Sequence, residues 1–370
     1  MDIGSIDLGQ KFKRLKWLGL AIDLFTMVIA CQPSTPVATD PAATDNPETA
    51  SASLVLNGTG ASFPLFIYER IFSEYRQQVD PTLSINYQPI GSAAGIQQVI
   101  SNTVDFGASD VAMTEAEMAQ VEAGVVLVPM TAGLVAIAYN LPGETTGLNL
   151  SRAALADIFL GKITRWNDPV IVASNPDRTL PDLPLTLVHR SDGSGTTAAV
   201  TSHLAAISPE WQTNVGAGLS VAWPAGIGIK ANAGVAAQIQ QAEGTLGYLE
   251  YSYAQRLDLP IAAIENQAGS FMEPGPASGA AALLDATMPD NLRVFIPDPA
   301  DESAYPIVTY SWILAYENYA DTIKADALKQ VLSWGLTEGQ QYSQELGYIP
   351  LPEPVVERAI AAVERIQVAN

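Results

Sequence analysis

The sequence predicts an α/β fold in which helices cover a mostly parallel sheet, and three observations support this. From Leu54 onward, short apolar runs alternate with stretches of helical spacing, a rhythm typical of β-α-β units. The length of 370 residues allows two domains. A hydrophobic share of 48% against 15% charged residues supplies a large core and excludes a wholly disordered chain.

The amino terminus has the features of an export signal. A basic cluster at positions 11–16 precedes the apolar run 17–30, which is shorter than the roughly 20 residues that a membrane span requires. The run ends directly before Cys31, as in a bacterial lipobox, and Cys31 is the only cysteine of the chain. We therefore predict a signal peptide at 1–30 and lipidation of Cys31. The alternative is a cleaved signal or an uncleaved anchor with an incidental cysteine.

The segment that follows predicts a tether. Residues 32–53 contain four prolines and, alanines aside, a single aliphatic residue, Val37. Such a composition cannot bury enough apolar surface to fold. Residues 31–53 are therefore expected to form a disordered linker, and the globular body begins at Leu54.

The first part of the body contains strands and helices in regular alternation. Helical spacing from Ile67 to Tyr75 and again around Ile96 indicates two helices. Pro129 and Gly133 are expected to separate two further strands. The predicted strands are 54–57, 84–87, 104–108, 125–128 and 134–139.

The second part repeats the alternation without an internal repeat of fixed period. Ser151 is predicted to cap a helix at 152–160. The other predicted elements are strands at 185–189, 246–249 and 307–315, and helices at 196–204, 235–241, 323–334 and 354–368. The simplest architecture is two α/β lobes between which the chain crosses more than once. One lobe would comprise 54–130 and 255–370, and the other 131–254.

Three turns between strands and helices are rich in glycine and small hydroxyl residues. They are residues 60–63, 91–95 and 192–197. A helix N-terminus carries unpaired N–H groups and a partial positive charge, and glycine allows a ligand to approach the backbone closely. Each turn alone is more simply read as an ordinary helix cap. Three together, with Arg190 beside one of them, point to an anion site.

Two charged groups refine this hypothesis. The guanidinium of Arg190 suits an oxyanion, and Asp192 lies close enough in sequence to orient it. The alternative for this pair is a surface salt bridge. Asp110 follows a predicted strand, and its alternative role is to cap a helix at 113–118. In an anion site, its carboxylate would accept a hydrogen bond from a protonated anion and reject an unprotonated one.

Several other classes of function are disfavoured. The net charge of −21 disfavours binding to nucleic acid. One cysteine and two histidines, His189 and His203, cannot build a structural zinc site, and both histidines are interpreted as packing residues. The residues around Ser194 do not form G-x-S-x-G, and neither nucleotide-binding glycine motif is present. No cofactor and no catalytic residue is predicted.

At this point the sequence resembles the exported phosphate-binding proteins of bacterial high-affinity phosphate ABC uptake systems. The resemblance covers roughly residues 54–366. It rests on Gly58-Thr59-Gly60-Ala61-Ser62-Phe63-Pro64, Tyr87-Gln88-Pro89-Ile90-Gly91-Ser92, Val104-Asp105-Phe106-Gly107-Ala108-Ser109-Asp110, Phe159-Leu160-Gly161-Lys162-Ile163 with Trp166, Arg190-Ser191-Asp192-Gly193-Ser194-Gly195-Thr196 and Gly247-Tyr248-Leu249-Glu250-Tyr251.

The resemblance implies a two-lobe type II periplasmic binding protein fold with phosphate in the cleft between the lobes. It assigns donors to residues of both lobes, with Ser92 capping the second helix onto the anion, Asp110 accepting the phosphate proton, and Asp192 orienting the cationic Arg190. The remaining implied ligand residues are Ser62, Phe63, Ser194, Gly195 and Thr196.

The sequence departs from the family pattern at Ala93 and Ala94 and at Ala231, where glycines are common. These changes bear on cleft shape more than on ligand class.

The resemblance also implies partners and a location. The chain would be a monomeric, lipid-anchored solute-binding protein on the outer side of a cell membrane, in the periplasm or outside the cell. It would deliver phosphate to the membrane subunits of an ABC permease and would have no enzymatic activity. Two alternatives stay open: an extracellular phosphatase-like hydrolase, and a binding protein for another oxyanion such as sulfate.

Overall fold

The computed structural model describes residues 54–143, 147–284 and 286–368. The predicted signal peptide, Cys31 and the tether lie outside the described residues. The alternation predicted from the sequence is confirmed, and the ends of most predicted elements shift by one to four residues. The strands are β1 (Leu54–Gly60), β2 (Leu83–Gln88), β3 (Phe106–Ser109), β4 (Val125–Tyr139), β5 (Asn149–Leu150), β6 (Thr186–Arg190), β7 (Ile227–Ile229), β8 (Thr245–Glu250), β9 (Ala263–Glu265), β10 (Phe271–Met272), β11 (Val308–Tyr316), β12 (Asn318–Tyr319) and β13 (Gln367–Val368).

Helices connect and cover these strands. The helices are α1 (Leu65–Gln78), α2 (Ser92–Ile100), α3 (Glu115–Met118), α4 (Arg152–Phe159), α5 (Pro169–Ala173), α6 (Gly195–Ile207), α7 (Pro209–Asn214), α8 (Ala231–Gln241), α9 (Tyr251–Arg256), α10 (Pro276–Leu284), α11 (Thr322–Leu336) and α12 (Glu353–Val363). Two 3₁₀ turns, Glu338–Tyr342 and Gln344–Leu346, follow α11. The last predicted helix is shorter than expected, because residues 367–368 leave it to pair with β12.

One mixed sheet organises the body, in the strand order β2-β1-β3-β11-β4-β8-β6-β7. At one end β1 runs parallel to β2 and β3, and at the other end β6 runs parallel to β7 and β8. The antiparallel strands β11 and β4 join these two groups. Ligands of open α/β sheets bind at the carboxyl ends of parallel strands, so a ligand site is expected at the ends of β1, β3 and β6.

The strand β4 corrects one prediction. Pro129 and Gly133 do not divide it, and all its residues are buried. Pro129 lies opposite Trp312 and beside a bulge in which Met130 is the extra residue of β4, and such a bulge accommodates a residue that has no N–H to donate. Leu134 pairs with Val308 of β11, while the next residue along β4 pairs with β8. A single strand therefore serves both ends of the sheet.

The sequence suggests cap residues for two helices, α4 and α3. Ser151 caps α4, since its hydroxyl accepts a hydrogen bond from the N–H of Ala154 at 3.1 Å, as predicted. Thr114, in a capping box with Glu117, caps α3. Asp110 is therefore not a helix cap, which removes the alternative role considered for it.

The described residues form one compact unit, and the predicted boundaries of the two lobes stay a prediction. Among the described residues, no helix combines the length and the apolar character needed to cross a membrane. The same part of the chain contains no group of three or more His, Cys, Asp or Glu side chains able to hold a metal ion.

Candidate anion-binding site

The turn after β1 approaches the neighbouring strand too closely for any side chain at Gly60. A Cβ at this glycine would lie 2.0 Å from the carbonyl oxygen of Ala108, and its φ is +145°. The turn then presents Ser62 and Phe63, which are 3% and 0% exposed. Its backbone is thus pressed against β3, immediately before α1 begins.

Tyrosine hydroxyls hold the carbonyl groups of this turn. Tyr87 donates a hydrogen bond to the carbonyl of Ala61 at 2.6 Å. Tyr253 donates to the carbonyl of Ser62 and Tyr348 to that of Phe63, both at 2.7 Å. Three consecutive carbonyls are therefore fixed by side chains that come from distant parts of the chain.

The second turn gives Ser92 a different place from the one expected. Gly91, with φ +109°, occupies the cap position of α2, and Ser92 is the first helical residue without a capping hydrogen bond. Its hydroxyl instead accepts from the N–H of Gly195 at 3.0 Å and donates to Asp110 Oδ2 at 3.3 Å. The expected cap was wrong because the backbone turns at Gly91, one residue earlier. Ser92 therefore links the second and third turns.

The third turn contains a buried ion pair. Arg190 Nε donates to Asp192 Oδ1 at 2.8 Å and Nη2 donates to Oδ2 at 2.5 Å, so the guanidinium is gripped on one edge. Its side chain is 1% exposed and that of Asp192 is 12% exposed. The remaining nitrogen, Nη1, lies 3.5 Å from Thr196 Oγ1. The pair is therefore not the surface salt bridge considered as its alternative.

The same turn opens α6. Ser194 is the cap residue, and its hydroxyl accepts from the N–H of Thr197 at 3.2 Å. Gly195 has no room for a side chain, because a Cβ there would lie 2.4 Å from that of Asp110. Ala93 lies against Gly193, to whose carbonyl its N–H donates at 3.1 Å. The alanine that departs from the family pattern is thus accommodated by a glycine opposite.

Asp110 lies at the centre of these contacts and is 3% exposed. Burial raises its pKa to about 7, while the hydrogen bond from Ser311, the charge of Arg190 and the hydrogen bond from Ser92 act in the opposite direction. Ser311 Oγ donates to Oδ1 at 2.8 Å. A carboxyl group that titrates near neutral pH can either accept or donate a proton at this place.

Asp192 behaves in the opposite way. Burial acts to raise its pKa, but the hydrogen bonds and charge of Arg190 outweigh burial, and the pKa lies below its usual value. Asp192 Oδ1 also accepts from the N–H of Ala231 at 3.1 Å. Ala231 has φ +61°, a left-handed conformation that favours glycine, which gives a physical reason for the glycine that the family resemblance implies at this position.

Sequence reasoning missed several residues of this cluster. Asn232, which is fully buried at the start of α8, donates through Nδ2 to Ser62 Oγ at 3.1 Å and to Thr196 Oγ1 at 3.4 Å. Ser311 and the tyrosines at 253 and 348 were missed as well. Asn232 follows a strand and opens a helix as the three identified turns do, so the same signal could have found it. The others lie on elements that only the tertiary fold brings near.

The two histidines lie outside this cluster. His189 stacks on Trp223 with ring centroids 4.8 Å apart. His203 is buried in α6, where its Nδ1 lies 2.9 Å from the carbonyl oxygen of Pro297. Burial lowers its pKa to about 4, so it is neutral at neutral pH. Neither contacts the Arg190 guanidinium.

Comparison with known sequences identifies relatives. The sequence model described as a PBP superfamily domain matches residues 42–338. The chain is 40% identical over 306 residues to the phosphate-binding protein PstS of Pasteurella multocida, covering 82% of this chain and 88% of that protein. It is 41% identical over 307 residues to PstS of Haemophilus influenzae, with 81% and 90% covered. PstS of Methanocaldococcus jannaschii is 36% identical over 342 residues, with 85% and 87% covered.

Solved structures share the fold. A phosphate-binding protein from Stenotrophomonas maltophilia superimposes with a TM-score of 0.65 at 19% identity, covering 83% of this chain and 93% of that one. A phosphate ABC transporter substrate-binding protein from Clostridium perfringens, described as putative and with bound phosphate, gives a TM-score of 0.59 at 17% identity, with 81% and 100% covered. The predicted fold class, that of a two-lobe binding protein, is confirmed.

Proposed function

Since this chain belongs to the PBP superfamily and, within it, to the PstS phosphate-binding proteins, we propose that it binds inorganic phosphate and delivers it to a membrane ABC permease for uptake. The ligand site is the cluster at the carboxyl ends of β1, β3 and β6. The relatives are named as binding proteins, and we extend this to a chain that captures its ligand without transforming it.

The observation that carries this proposal is a buried guanidinium and a buried carboxyl group in the same small cluster. Arg190 supplies positive charge, and Asp110 supplies an acceptor for a proton of the ligand. When Asp110 is ionised, a charged ligand without a proton would set its lone pairs against those of the carboxylate. Phosphate near neutral pH carries both negative charge and at least one P–OH group, so it satisfies both residues at once.

The proposed roles follow from the positions of the residues. Ser62 and Phe63 donate from the first turn, and Arg190, held by Asp192, donates from the third. Ser92 and the N–H of Gly195, which contact each other in the structure, would turn to the ligand when it binds. The hydroxyls of Ser194 and Thr196 complete the set at the start of α6, in the favourable field of a helix N-terminus.

Binding from both ends of the sheet fits the proposed lobes, 54–130 with 255–370 and 131–254. The hydrogen bonds from Gly195 to Ser92 and from Asn232 to Ser62 join residues of the two proposed lobes. A ligand held between these turns would be removed from water. A dry site strengthens charge-assisted hydrogen bonds, each worth about 1.5–3 kcal/mol. Local donors must supply the attraction, because the net charge of −21 repels anions at long range.

Calorimetric titration of the purified mature protein with phosphate, arsenate and sulfate tests the proposal. We expect phosphate to bind with a Kd of roughly micromolar or tighter, and sulfate to bind far more weakly. Equal affinity for sulfate would favour the general oxyanion alternative. Turnover of a phosphomonoester would favour the hydrolase alternative, which needs a nucleophile and a base in hydrogen-bond reach.

Anchoring is a separate part of the proposal. We propose that Cys31 carries lipid and holds the monomeric protein at the outer side of a membrane, where it meets the permease. Cys31→Ser should release the protein from the membrane fraction or leave an unprocessed precursor. Intact-mass spectrometry that finds an unmodified cysteine in a soluble mature chain would contradict the lipid anchor, while phosphate binding would be unaffected.

A further inference from the structure

The turn after β1 is held by three tyrosine hydroxyls to which the family resemblance assigns no role. The hydroxyls of Tyr87, Tyr253 and Tyr348 donate to the three consecutive carbonyls of residues 61–63, at 2.6, 2.7 and 2.7 Å. The three tyrosines come from β2, from α9 and from the segment before α12, so they are 26, 191 and 285 residues away from the carbonyls that they contact.

Because of peptide geometry, these contacts also fix the direction of the N–H groups of the turn. In a trans peptide, the C=O and N–H groups of one unit point in opposite directions. Holding the carbonyls of Ala61 and Ser62 therefore directs the N–H groups of Ser62 and Phe63 to the other side of the turn. Neither of these two N–H groups has a hydrogen-bond partner within the described residues. The third carbonyl, that of Phe63, precedes Pro64, which has no N–H.

We propose that Tyr87, Tyr253 and Tyr348 are positioning residues for anion binding, which hold the 61–63 turn so that its two free N–H groups face the ligand. This inference rests on the proposed function, since the ligand is the phosphate of that site. Burial alone does not explain the contacts. The hydroxyl of the buried Tyr310, for example, has no hydrogen-bond partner among the described residues.

Glu250 lies next to Tyr348. Its Oε1 accepts from the N–H of Ser252 at 3.0 Å, and its Oε2 shares a short hydrogen bond with the hydroxyl of Ser252. The Tyr348 hydroxyl lies 3.4 Å from both Glu250 Oε2 and Ser252 Oγ. Ser252 Oγ donates to Glu250 Oε2 and lies beside the Tyr348 hydroxyl, so Glu250 belongs to the group that surrounds this tyrosine. A protonated Glu250 leaves that group uncharged.

The surroundings of Glu250 favour that protonated form. Burial raises its pKa to about 8, the nearby Asp110 adds to this, and the hydrogen bonds from Ser252 and Tyr348 act against it. The tyrosines around it, Tyr348, Tyr253 and Tyr251, have pKa values raised by burial and stay neutral. No lysine or arginine of the described chain forms an ion pair with it. The supporting residues behind the turn thus add no negative charge opposite an anion.

The test removes single oxygen atoms. Tyr87→Phe, Tyr253→Phe and Tyr348→Phe each delete one hydroxyl and keep the ring. We expect each variant to bind phosphate roughly three- to tenfold more weakly in calorimetry. The matched control is Tyr316→Phe, because the Tyr316 hydroxyl also donates to a buried carbonyl, that of Val99 at 3.2 Å, on α2 but away from the turn. The control should bind within about twofold of the unaltered protein.

A second readout separates positioning from general stability. In ¹⁵N-labelled protein, saturation with phosphate should shift the amide protons of Ser62 and Phe63 downfield, and this shift should shrink in Tyr253→Phe while the shifts at α6 persist. Should one variant fail to fold, the other two decide by the same criteria.

Two results would separate the possible failures. Phosphate affinities of all three variants equal to that of the control, with unchanged amide shifts, would overturn the inference and leave the proposed function intact. An unaltered protein that does not bind phosphate would instead overturn the function itself.

Discussion

The two turns that face each other across the site are held by opposite means. The turn at residues 61–63 is fixed by three neutral tyrosine hydroxyls. The turn at residues 190–196 is fixed by an ion pair between Arg190 and Asp192. Both present hydrogen-bond donors, but only the second brings a full positive charge. The difference suggests a division of labour, in which the charged turn supplies most of the binding energy and the neutral turn supplies geometry.

Removing the positive charge of the turn at residues 190–196 should have the largest effect on binding. Arg190→Ala should weaken phosphate binding by roughly 2–5 kcal/mol, because the anion and Asp192 both lose their cationic partner. Calorimetry measures the loss, and circular dichroism should report an unchanged fold. Arg165→Ala is the control, since that arginine pairs with Asp182 at an exposed position. A variant at position 190 that binds like the unaltered protein would remove Arg190 from the site.

Asp110 tests whether the site chooses its anion by the ligand proton. Asp110→Asn should narrow the preference for phosphate over sulfate by about tenfold or more, because an amide N–H can donate to an oxygen that carries no proton. The measurement is the pair of affinities in the variant and in the unaltered protein. Asp105→Asn, at a residue paired with Lys324 on the same part of the sheet, should leave the ratio unchanged. An unmoved ratio at position 110 would show that Asp110 is not the selector.

Asp192 tests how much of the charged turn depends on orientation. Asp192→Asn keeps Arg190 but replaces one of the two carboxylate acceptors with an amide group. We expect phosphate to bind about 1–2 kcal/mol more weakly, less than after loss of the arginine itself. A loss as large as that of Arg190→Ala would mean that orientation, rather than charge, dominates the third turn. That result would reverse the comparison between the two turns.

Glu250→Gln should have the smallest effect on binding, within about twofold at neutral pH, since the amide is also neutral and can donate. The substitution should instead change how the free energy of unfolding of the ligand-free protein depends on pH. The pKa of Glu250 is about 8 in the folded chain against a usual 4.5. Between these values the folded state keeps a proton that the unfolded state has lost, so this group lowers the free energy of unfolding as the pH rises.

Urea titrations at pH 5 and pH 8 measure this effect. The stability of Glu250→Gln relative to the unaltered protein should increase over that interval and level off above about pH 8. His203 contributes with the opposite sign, since its lowered pKa reduces stability as the pH falls from its usual 6.5 toward 4, but it is common to both proteins. A difference between the two proteins that does not change with pH would mean that Glu250 is already ionised.

The cluster shows which of its residues a sequence can bring to notice. The turns at Ser62, Ser92 and Arg190 could be singled out because each follows a strand directly, and adjacency in sequence is visible. Ser311 donates to Asp110 from 201 positions away, so nothing in the sequence indicates that the two residues meet. Its place depends on β11 lying between β3 and β4, which no local pattern predicts. The supporting tyrosines escaped likewise, because a tyrosine in a core segment looks like packing.

The fold shows the same limit in one strand. Local reasoning divided β4 at Pro129 and Gly133, because proline removes a donor and glycine weakens a strand. The first difficulty is absorbed by a bulge in β4 itself, where Met130 is the extra residue between the positions paired with Ser311 and Trp312. The second is a necessity of packing, since a Cβ at Gly133 would lie 2.7 Å from the ring of Phe63. Both features depend on how β4 meets its neighbours, which its own sequence does not show.

The unbroken β4 also has a mechanical consequence. The change of partner from β11 to β8 takes place across one peptide, between Leu134 and Val135, with no loop in between. A rotation of one end of the sheet against the other must therefore twist this backbone, which is bonded along both edges. Such a rotation would strain the hydrogen-bonded strand, and the strain would favour a return to the original conformation, unlike rotation about a flexible loop. Gly133 lies against the ring of Phe63, so this strand contacts the turn of the proposed ligand site.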